Sequence, residues 1–357
     1  MQDQKYFTYP LDVLETPSGV QIARGANRFA VRGDRAAGFL RLIVALSAEG
    51  VARAALLEEF AEADREVVGN LLDTLVERKF AYYADEPSAA YGAESPQDLF
   101  VWHFPPAPRS YATALASVEI VLVGVNLVSL NLRDALLRSG FEQVSFVDDP
   151  LLRNVRLFDD LGKPSAIPEL ESLVITTDEL VVRYGEGGDD RFLLVPCSEF
   201  GGHTAILPWN RLALQHGWHM LPVMLSSLRG RIGPYIVPPA APCYECLIGR
   251  ENANLNDPAE ERALDDHAHE TQLTTAAYTE SMLMSLAGMA AMELSKLVGG
   301  LMLFPTGELL DIAFLEPSIR RHAVLKIPRC PSCSPTEWRP AVSISRDEFR
   351  NKLIANS

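Results

Sequence analysis

The chain has 357 residues, 48% of them apolar, and a formal net charge of −15 at pH 7. Length and composition predict two domains with a sizeable core, and the acidity argues against a nucleic-acid partner, because phosphate binding needs a basic face. No apolar run reaches the roughly 18 residues of a membrane span, and the opening Met1-Gln2-Asp3-Gln4-Lys5 is too polar for a signal peptide. Five cysteines, an odd number that includes two metal-type pairs, fit a reducing cytoplasm better than a disulfide framework.

Residues 1–85 read as a small unit. Val20-Gln21-Ile22-Ala23 and Asn27-Arg28-Phe29-Ala30-Val31 alternate with period two around Gly25 and predict a hairpin, with Leu11 to Leu14 as a third strand. Three helices follow: one on Phe39, Leu42, Ile43 and Leu46 that stops at Gly50, a short one over Ala54 to Phe60, and a third with Asp64 as N-cap. The third has an apolar stripe of Val68, Leu71, Leu72, Leu75 and Val76, and Phe80-Ala81-Tyr82-Tyr83 closes the unit as a strand. This is a winged-helix pattern. Winged helices commonly bind DNA, but the unit carries nine or ten Lys/Arg against about thirteen Asp/Glu, with Glu66, Asp73 and Glu77 on its third helix. An exposed strand edge can instead take up an extended peptide by strand addition. The element order resembles the PqqD-like recognition elements that hold leader peptides of ribosomally made natural products. By that resemblance the leader lies against Arg28, Phe29, Ala30 and Val31 and beside Leu72 and Val76. Plain core packing is the other reading of Phe29, Val31, Leu72 and Val76.

Residues 86–115, with Pro87, Pro96, Pro105, Pro106 and Pro108, read as a connector. The second domain, 116–335, opens on the continuous apolar run Val118-Glu119-Ile120-Val121-Leu122-Val123, as expected of a strand buried on both faces. Gly124 ends it, Leu132, Ala135, Leu136 and Leu137 mark a helix closed by Gly140, and Val144-Ser145-Phe146-Val147 is the next strand, ending at Asp148 and Asp149. A strand, a helix and a strand ending on a carboxylate form the layout of a nucleotide-binding unit. Residues 336–357 form a tail.

Pro242-Cys243-Tyr244-Glu245-Cys246 and Cys330-Pro331-Ser332-Cys333 are two Cys-x-x-Cys turns. Each can offer two thiolates to one ion, and four thiolates suit a closed, structural zinc site. The other reading of such a motif is thioredoxin-like redox chemistry, which places one copy at a helix start rather than two near prolines. His267-Ala268-His269, flanked by Asp265, Asp266 and Glu270, reads as a solvated charged loop rather than a metal site. Met282, Met284, Met289 and Met292 lie on a small-residue helix that predicts core or subunit interface, and Cys197 reads as a buried thiol.

From about 118 to 334 the chain resembles the ubiquitin-activating-enzyme superfamily of bacterial ThiF/MoeB type. The matching pieces are Gly124, Gly140, Asp148, Cys197-Ser198-Glu199, Gly230 to Val237, both Cys-x-x-Cys turns, Ala290 to Gly299, and Thr306-Gly307. The resemblance implies an α/β, Rossmann-like domain with structural zinc on Cys243, Cys246, Cys330 and Cys333, preceded by the small winged helix. It also implies a homodimer. The departures lie at the family's phosphate loop, where bare glycine backbone must approach a triphosphate. Here the loop is Gly124-Val125-Asn126-Leu127-Val128-Ser129, and side chains at the later positions are expected to crowd the phosphates. Asp148 and Glu199 stand where ribose and metal carboxylates belong, and no cysteine lies between Glu251 and Thr274. The nucleotide site at Gly124, Asn126, Asp148 and Glu199 is therefore expected to be vestigial.

A leader-binding winged helix joined to a degenerate ThiF-like scaffold resembles the partner subunit of azoline-forming cyclodehydratases in thiazole/oxazole-modified peptide biosynthesis. The resemblance implies a non-catalytic chain that binds the precursor's leader and activates a YcaO subunit, which supplies the ATP-Mg chemistry; it also admits a flavin dehydrogenase subunit. The alternative is a stand-alone ThiF-like enzyme that adenylates a bound peptide, with Asp148, Arg153 and Glu199 holding nucleotide and Mg²⁺.

Overall fold

The computed structural model describes residues 4–17, 19–86, 96–102, 104, 111–164, 169–185, 192–200, 202–260, 263, 267, 277–301 and 306–334. The chain divides into two compact units, Met1–Ala112 with Gly299–Leu301 and Thr113–Val298 with Met302–Ser357.

The first unit runs β1 (Lys5–Thr8), β2 (Asp12–Thr16), β3 (Gly19–Arg24), β4 (Asn27–Arg32), α1 (Ala36–Ser47), β5 (Val51–Ala52), α2 (Arg53–Glu58), α3 (Arg65–Glu77), β6 (Ala81–Ala84) and α4 (Pro96–Trp102). The strands form two antiparallel sheets, β5-β1-β6 and β2-β3-β4. In β3 the period-two pattern buries Val20, Ile22 and Arg24 and leaves Gly19, Gln21 and Ala23 half-exposed. Arg24 pairs with Asn27 across a two-residue turn whose first residue, Gly25, has φ +56°. Gly19 is needed for close approach: at φ +144°, a Cβ there would lie 2.3 Å from the Val31 carbonyl oxygen.

The helices bury one face each, against Tyr6, Val20, Ile22 and Phe80. α1 turns Ala36, Leu40, Ile43 and Ser47 inward, so Leu42 of the expected stripe stays 37% exposed. Asp64 precedes α3 as expected but its side chain makes no capping bond. Both of its oxygens accept from the Arg35 guanidinium at 2.6 Å, a bidentate charged pair that outcompetes a single amide. β1 and β5 were not legible, being short and lacking alternation. The expected connector contains α4, where Trp102 is buried and the Arg24 guanidinium lies 4.9 Å from its ring centre and 4.8 Å from that of Tyr9.

The chain continues with α5 (Tyr111–Ser117), β7 (Glu119–Val123), α6 (Leu127–Ser139), β8 (Gln143–Val147), α7 (Leu170–Leu173), β9 (Val174–Ile175), α8 (Thr177–Tyr184), β10 (Phe192–Ser198), α9 (His203–His216), β11 (Val223–Ser226), β12 (Arg229–Ile232), α10 (Tyr244–Asn252), α11 (Glu280–Val298), β13 (Glu308–Ala313) and β14 (Ser318–Ala323). The second unit holds an eight-stranded sheet ordered β14-β13-β12-β11-β10-β7-β8-β9. β11-β10-β7-β8-β9 pair in parallel, and β12, β13 and β14 extend the sheet antiparallel from β11. The central strands carry continuous apolar runs because both faces are covered; every residue of β10 is buried. The chain order reverses between β7 and β10, which makes the carboxyl ends of those strands a topological switch point, the usual place for a ligand crevice.

α11 packs along α6. By length and composition it is apolar enough to cross a membrane, but Leu283, Leu286, Ala287, Ala290, Ala291 and Leu294 are buried inside the unit. Met284 and Met292 are exposed on it. His267 is exposed, while His269 and the tail 336–357 lie outside the described residues.

The Gly19→Ala variant is expected to destabilise the first unit by about 2–3 kcal/mol, because the new methyl meets the β4 backbone at an unfavourable φ. Urea unfolding followed by far-ultraviolet circular dichroism should show the lowered midpoint.

Candidate functional site

The switch point is framed by β7, α6 and β10. Gly124 follows β7 at φ +92°, where a Cβ would sit 2.6 Å from the Leu152 Cβ. Asn126 then caps α6: its Oδ1 accepts from the Ser129 amide at 3.0 Å and the Ser129 hydroxyl accepts from the Asn126 amide at 3.0 Å. The Asn126 Nδ2 donates to the carbonyls of Leu152 and Cys197, both at 2.8 Å. Asn126 and Ser129 have no exposed surface. Both side chains turn inward, and Asn126 ties three chain segments together.

What stands at the helix N-terminus is Glu199. Its Oε2 accepts from the Leu127 amide at 2.6 Å, and its Oε1 accepts from Asn154 Nδ2. Tyr278 hydrogen-bonds the same carboxylate. A helix N-terminus attracts anions through free amides and the macrodipole, and here the protein's own carboxylate takes that position. Glu199 is wholly buried, and burial pushes its pKa up to about 7 against the lowering pull of the Leu127 amide, Asn154 and Tyr278. Asn154 and Tyr278 carry no sequence motif and were not anticipated; only their spatial meeting with Glu199 reveals them.

Asp148, the expected ribose carboxylate, is engaged by Arg153, whose Nε donates to it at 2.9 Å and whose Nη2 makes a second bond. The Arg153 guanidinium also lies 4.3 Å from the Phe158 ring centre. Asp149 accepts from Trp209 Nε1 and from the Leu151 amide. The side chains of Asn126, Asp148 and Glu199 are thus each held by other protein groups. Cys197 is buried at the end of β10, and burial pushes its thiol up.

The four remaining cysteines come together. Their sulfurs lie within 4.8 Å of one another. Cys243 and Cys246 are 3.9 Å apart, Cys243 and Cys330 3.6 Å, and Cys246 and Cys333 3.5 Å. A tetrahedron with metal–sulfur bonds of about 2.3 Å has edges of about 3.8 Å, so the set can hold a metal ion. Cys243 caps α10 and Cys246 sits in its first turn, at the positive end of the helix. The Ile327 amide donates to Cys246 Sγ at 3.4 Å, and Ser332 hydrogen-bonds Glu245, which joins the two turns directly. Burial pushes the Cys243 thiol up, so a bound cation is what would keep it ionised. Tyr244, between two of the cysteines, is buried and its hydroxyl meets His203 Nδ1 at 2.8 Å and Met224 Sδ at 3.0 Å.

The residues singled out in the first unit lie on β4 and α3. β4 pairs only with β3 among the described residues, leaving one edge open. Arg28 and Ala30 are exposed, whereas Phe29, Val31 and Val76 are half-buried and pack on the core. Leu72 has no exposed surface and points from α3 into the core.

No protein-family model and no curated protein matches the chain. Solved structures do. The heterocyclase TruD superposes with TM-score 0.59 at 19% identity, over 93% of this chain and 43% of that one. A heterocyclase in complex with substrate and cofactor gives TM-score 0.57 at 20% identity, over 93% of this chain and 40% of that one. MccB of E. coli with ATP gives TM-score 0.62 at 16% identity, over 92% of this chain and 99% of that one. The chain thus shares its fold with these proteins and spans less than half the length of the heterocyclases.

Two outcomes are expected. Between pH 4.5 and about 7 the native chain keeps a proton on Glu199 that the unfolded chain has released, so this group's contribution to stability falls as pH rises through that window. The Glu199→Gln variant lacks this slope, and urea midpoints at about pH 5 and about pH 7.5 should differ less for it than for the wild type. Cobalt(II) loading should give tetrahedral-thiolate absorption with one ion per chain, and Cys330→Ser should abolish it together with several kcal/mol of stability, on the order of 3 or more.

Proposed function

We propose that this chain is the leader-peptide-binding, YcaO-activating subunit of an azoline-forming cyclodehydratase, acting on a ribosomally synthesised precursor peptide. The observation that carries the reading is the Glu199 carboxylate on the Leu127 amide, at 2.6 Å, where a nucleotide phosphate would have to sit. A protein that fills its own phosphate position has no need of ATP if a partner subunit supplies the ATP-Mg chemistry. The fold shared with heterocyclases that are more than twice as long supports a division of labour in which the remaining machinery is a separate chain.

In this reading residues 1–85 are a winged-helix, PqqD-like recognition domain, 86–115 a linker, 116–335 a ThiF-like domain of Rossmann type, and 336–357 a tail. The leader adds to the open edge of β4, beside α3. The four cysteines hold zinc, which fastens the Cys330 turn to α10. The chain works in the cytoplasm as a homodimer, and the exposed apolar side chains Met284, Met292, Leu315 and Ile319 are available for pairing. A flavin dehydrogenase that oxidises the azoline product is a further partner.

The second reading is a stand-alone enzyme that adenylates a bound peptide. Its support is the likeness to MccB, which spans 99% of that chain and includes an ATP-bound structure. ATP would then have to displace Glu199 from α6 and Arg153 from Asp148.

Equilibrium dialysis of the isolated chain with ATP and Mg²⁺ should show no binding at millimolar nucleotide, and measurable binding would favour the enzyme. Combined with the YcaO protein and the precursor, the wild-type chain should support loss of one water per ring by mass spectrometry. Omitting this chain should lower the rate of ring formation by at least about tenfold, a change of about 1.4 kcal/mol.

A further inference from the structure

The open edge of β4 carries a charge pattern of its own. Arg24 and Asn27 flank the two-residue turn and form the pair that exchanges backbone bonds; by alternation Ile22 with Phe29 and Val20 with Val31 are the next such pairs. The amides and carbonyls of Arg28, Ala30 and Arg32 therefore point away from β3. These same residues are exposed, so their side chains stand on the solvent face of the sheet. Phe29 and Val31 face the other way and are half-buried.

The cations of this unit sort into two groups. Arg35, Arg41 and Arg53 are paired with Asp64, Glu15 and Asp73, and Arg24 is buried between Tyr9 and Trp102. Among the described residues Arg28 and Arg32 take part in no ion pair, and they stand four positions apart on the edge strand. Arg78 joins them at the end of α3: Asn27 Nδ2 donates to its carbonyl at 3.0 Å, and its guanidinium lies 5.5 Å from the Phe29 ring centre. Lys79 follows and is exposed. The acidic neighbours in sequence are Asp34 and Glu77, and the exposed Asp12 lies two strands from Arg28 in the same cross-strand row, in a chain whose net charge is −15.

We propose that the β4 edge selects an acidic extended peptide, with carboxylates at the first and fifth positions of a five-residue stretch and apolar side chains at the second and fourth. The inference rests on the reading of β4 as the leader-docking strand and adds the chemistry of what docks. Residues directly opposite each other on neighbouring strands share a face, so the carboxylates meet Arg28 and Arg32 while the apolar residues continue the Phe29–Val31 surface. The pattern is the same read from either end, so it holds for a parallel or an antiparallel strand. The middle residue meets Ala30, whose small side chain leaves it unconstrained.

The test is selection from a display library of randomised dodecapeptides on the full-length chain, on Ala30→Pro, and on an Arg28→Glu/Arg32→Glu double variant. Proline at position 30 removes an edge amide that the β-sheet itself does not use. Circular dichroism of both variants checks that the fold is kept. The wild type should enrich Asp/Glu four residues apart around apolar positions, Ala30→Pro should enrich nothing above background, and the double variant should enrich Lys/Arg at the same positions. By fluorescence polarisation, replacing both acids of a selected peptide with lysine should weaken wild-type binding by about tenfold, less so at high salt. Enriched peptides that need the Ala30 amide but show no acidic preference would overturn the charge inference and leave the docking strand standing. Peptides that bind Ala30→Pro equally well, or no enrichment on any form, would overturn both.

Discussion

The second unit is organised around a carboxylate buried at a helix N-terminus. Leaving the part-buried Leu127 amide at the start of α6 unsatisfied would be costly, and so would burying Glu199 without donors; the two meet and each offsets the other. Asn126 completes the arrangement from the inside, bonding Leu152, Cys197 and Ser129, so that β7, α6, β10 and the loop after Asp148 share one hydrogen-bond network. The polar groups at the switch point are thereby satisfied by one another.

Two further fastenings act on this frame. The four sulfurs gather distant segments at the start of α10, and Ser332 with Glu245 links the same turns through a second bond. Tyr244 extends that contact toward α9 and β11 through His203 and Met224. In the first unit the Arg24 guanidinium, set between Tyr9 and Trp102, holds α4 against the sheet. That contact converts a proline-rich stretch into a packed element.

Where side-chain periodicity reports burial, the sequence was readable. Val20 and Ile22 alternate with polar or small neighbours and form β3; Ile120 to Val123 run without interruption and form the buried β7. Two Cys-x-x-Cys turns announced their meeting because few other chemistries use that spacing twice. The crevice was legible only in outline. Gly124 and Asp148 marked its position, but Glu199 finds the Leu127 amide 72 positions away, and nothing local distinguishes a carboxylate that binds metal from one that caps a helix. Asp64 misled for a related reason: its sequence context suits a cap, and the competing guanidinium of Arg35 comes from another segment. Leu72 and Val76 belong to one stripe, yet a single helical turn separates full burial from partial exposure.

An unpaired edge strand is an invitation to self-assembly, since any second copy presents the same row of free amides and carbonyls. On β4 that hazard is met by Arg28 and Arg32. Two such edges laid side by side would bring four guanidinium groups together, and like charges facing across strands oppose that pairing. The residues that leave this edge open to a peptide thus also disfavour its self-pairing.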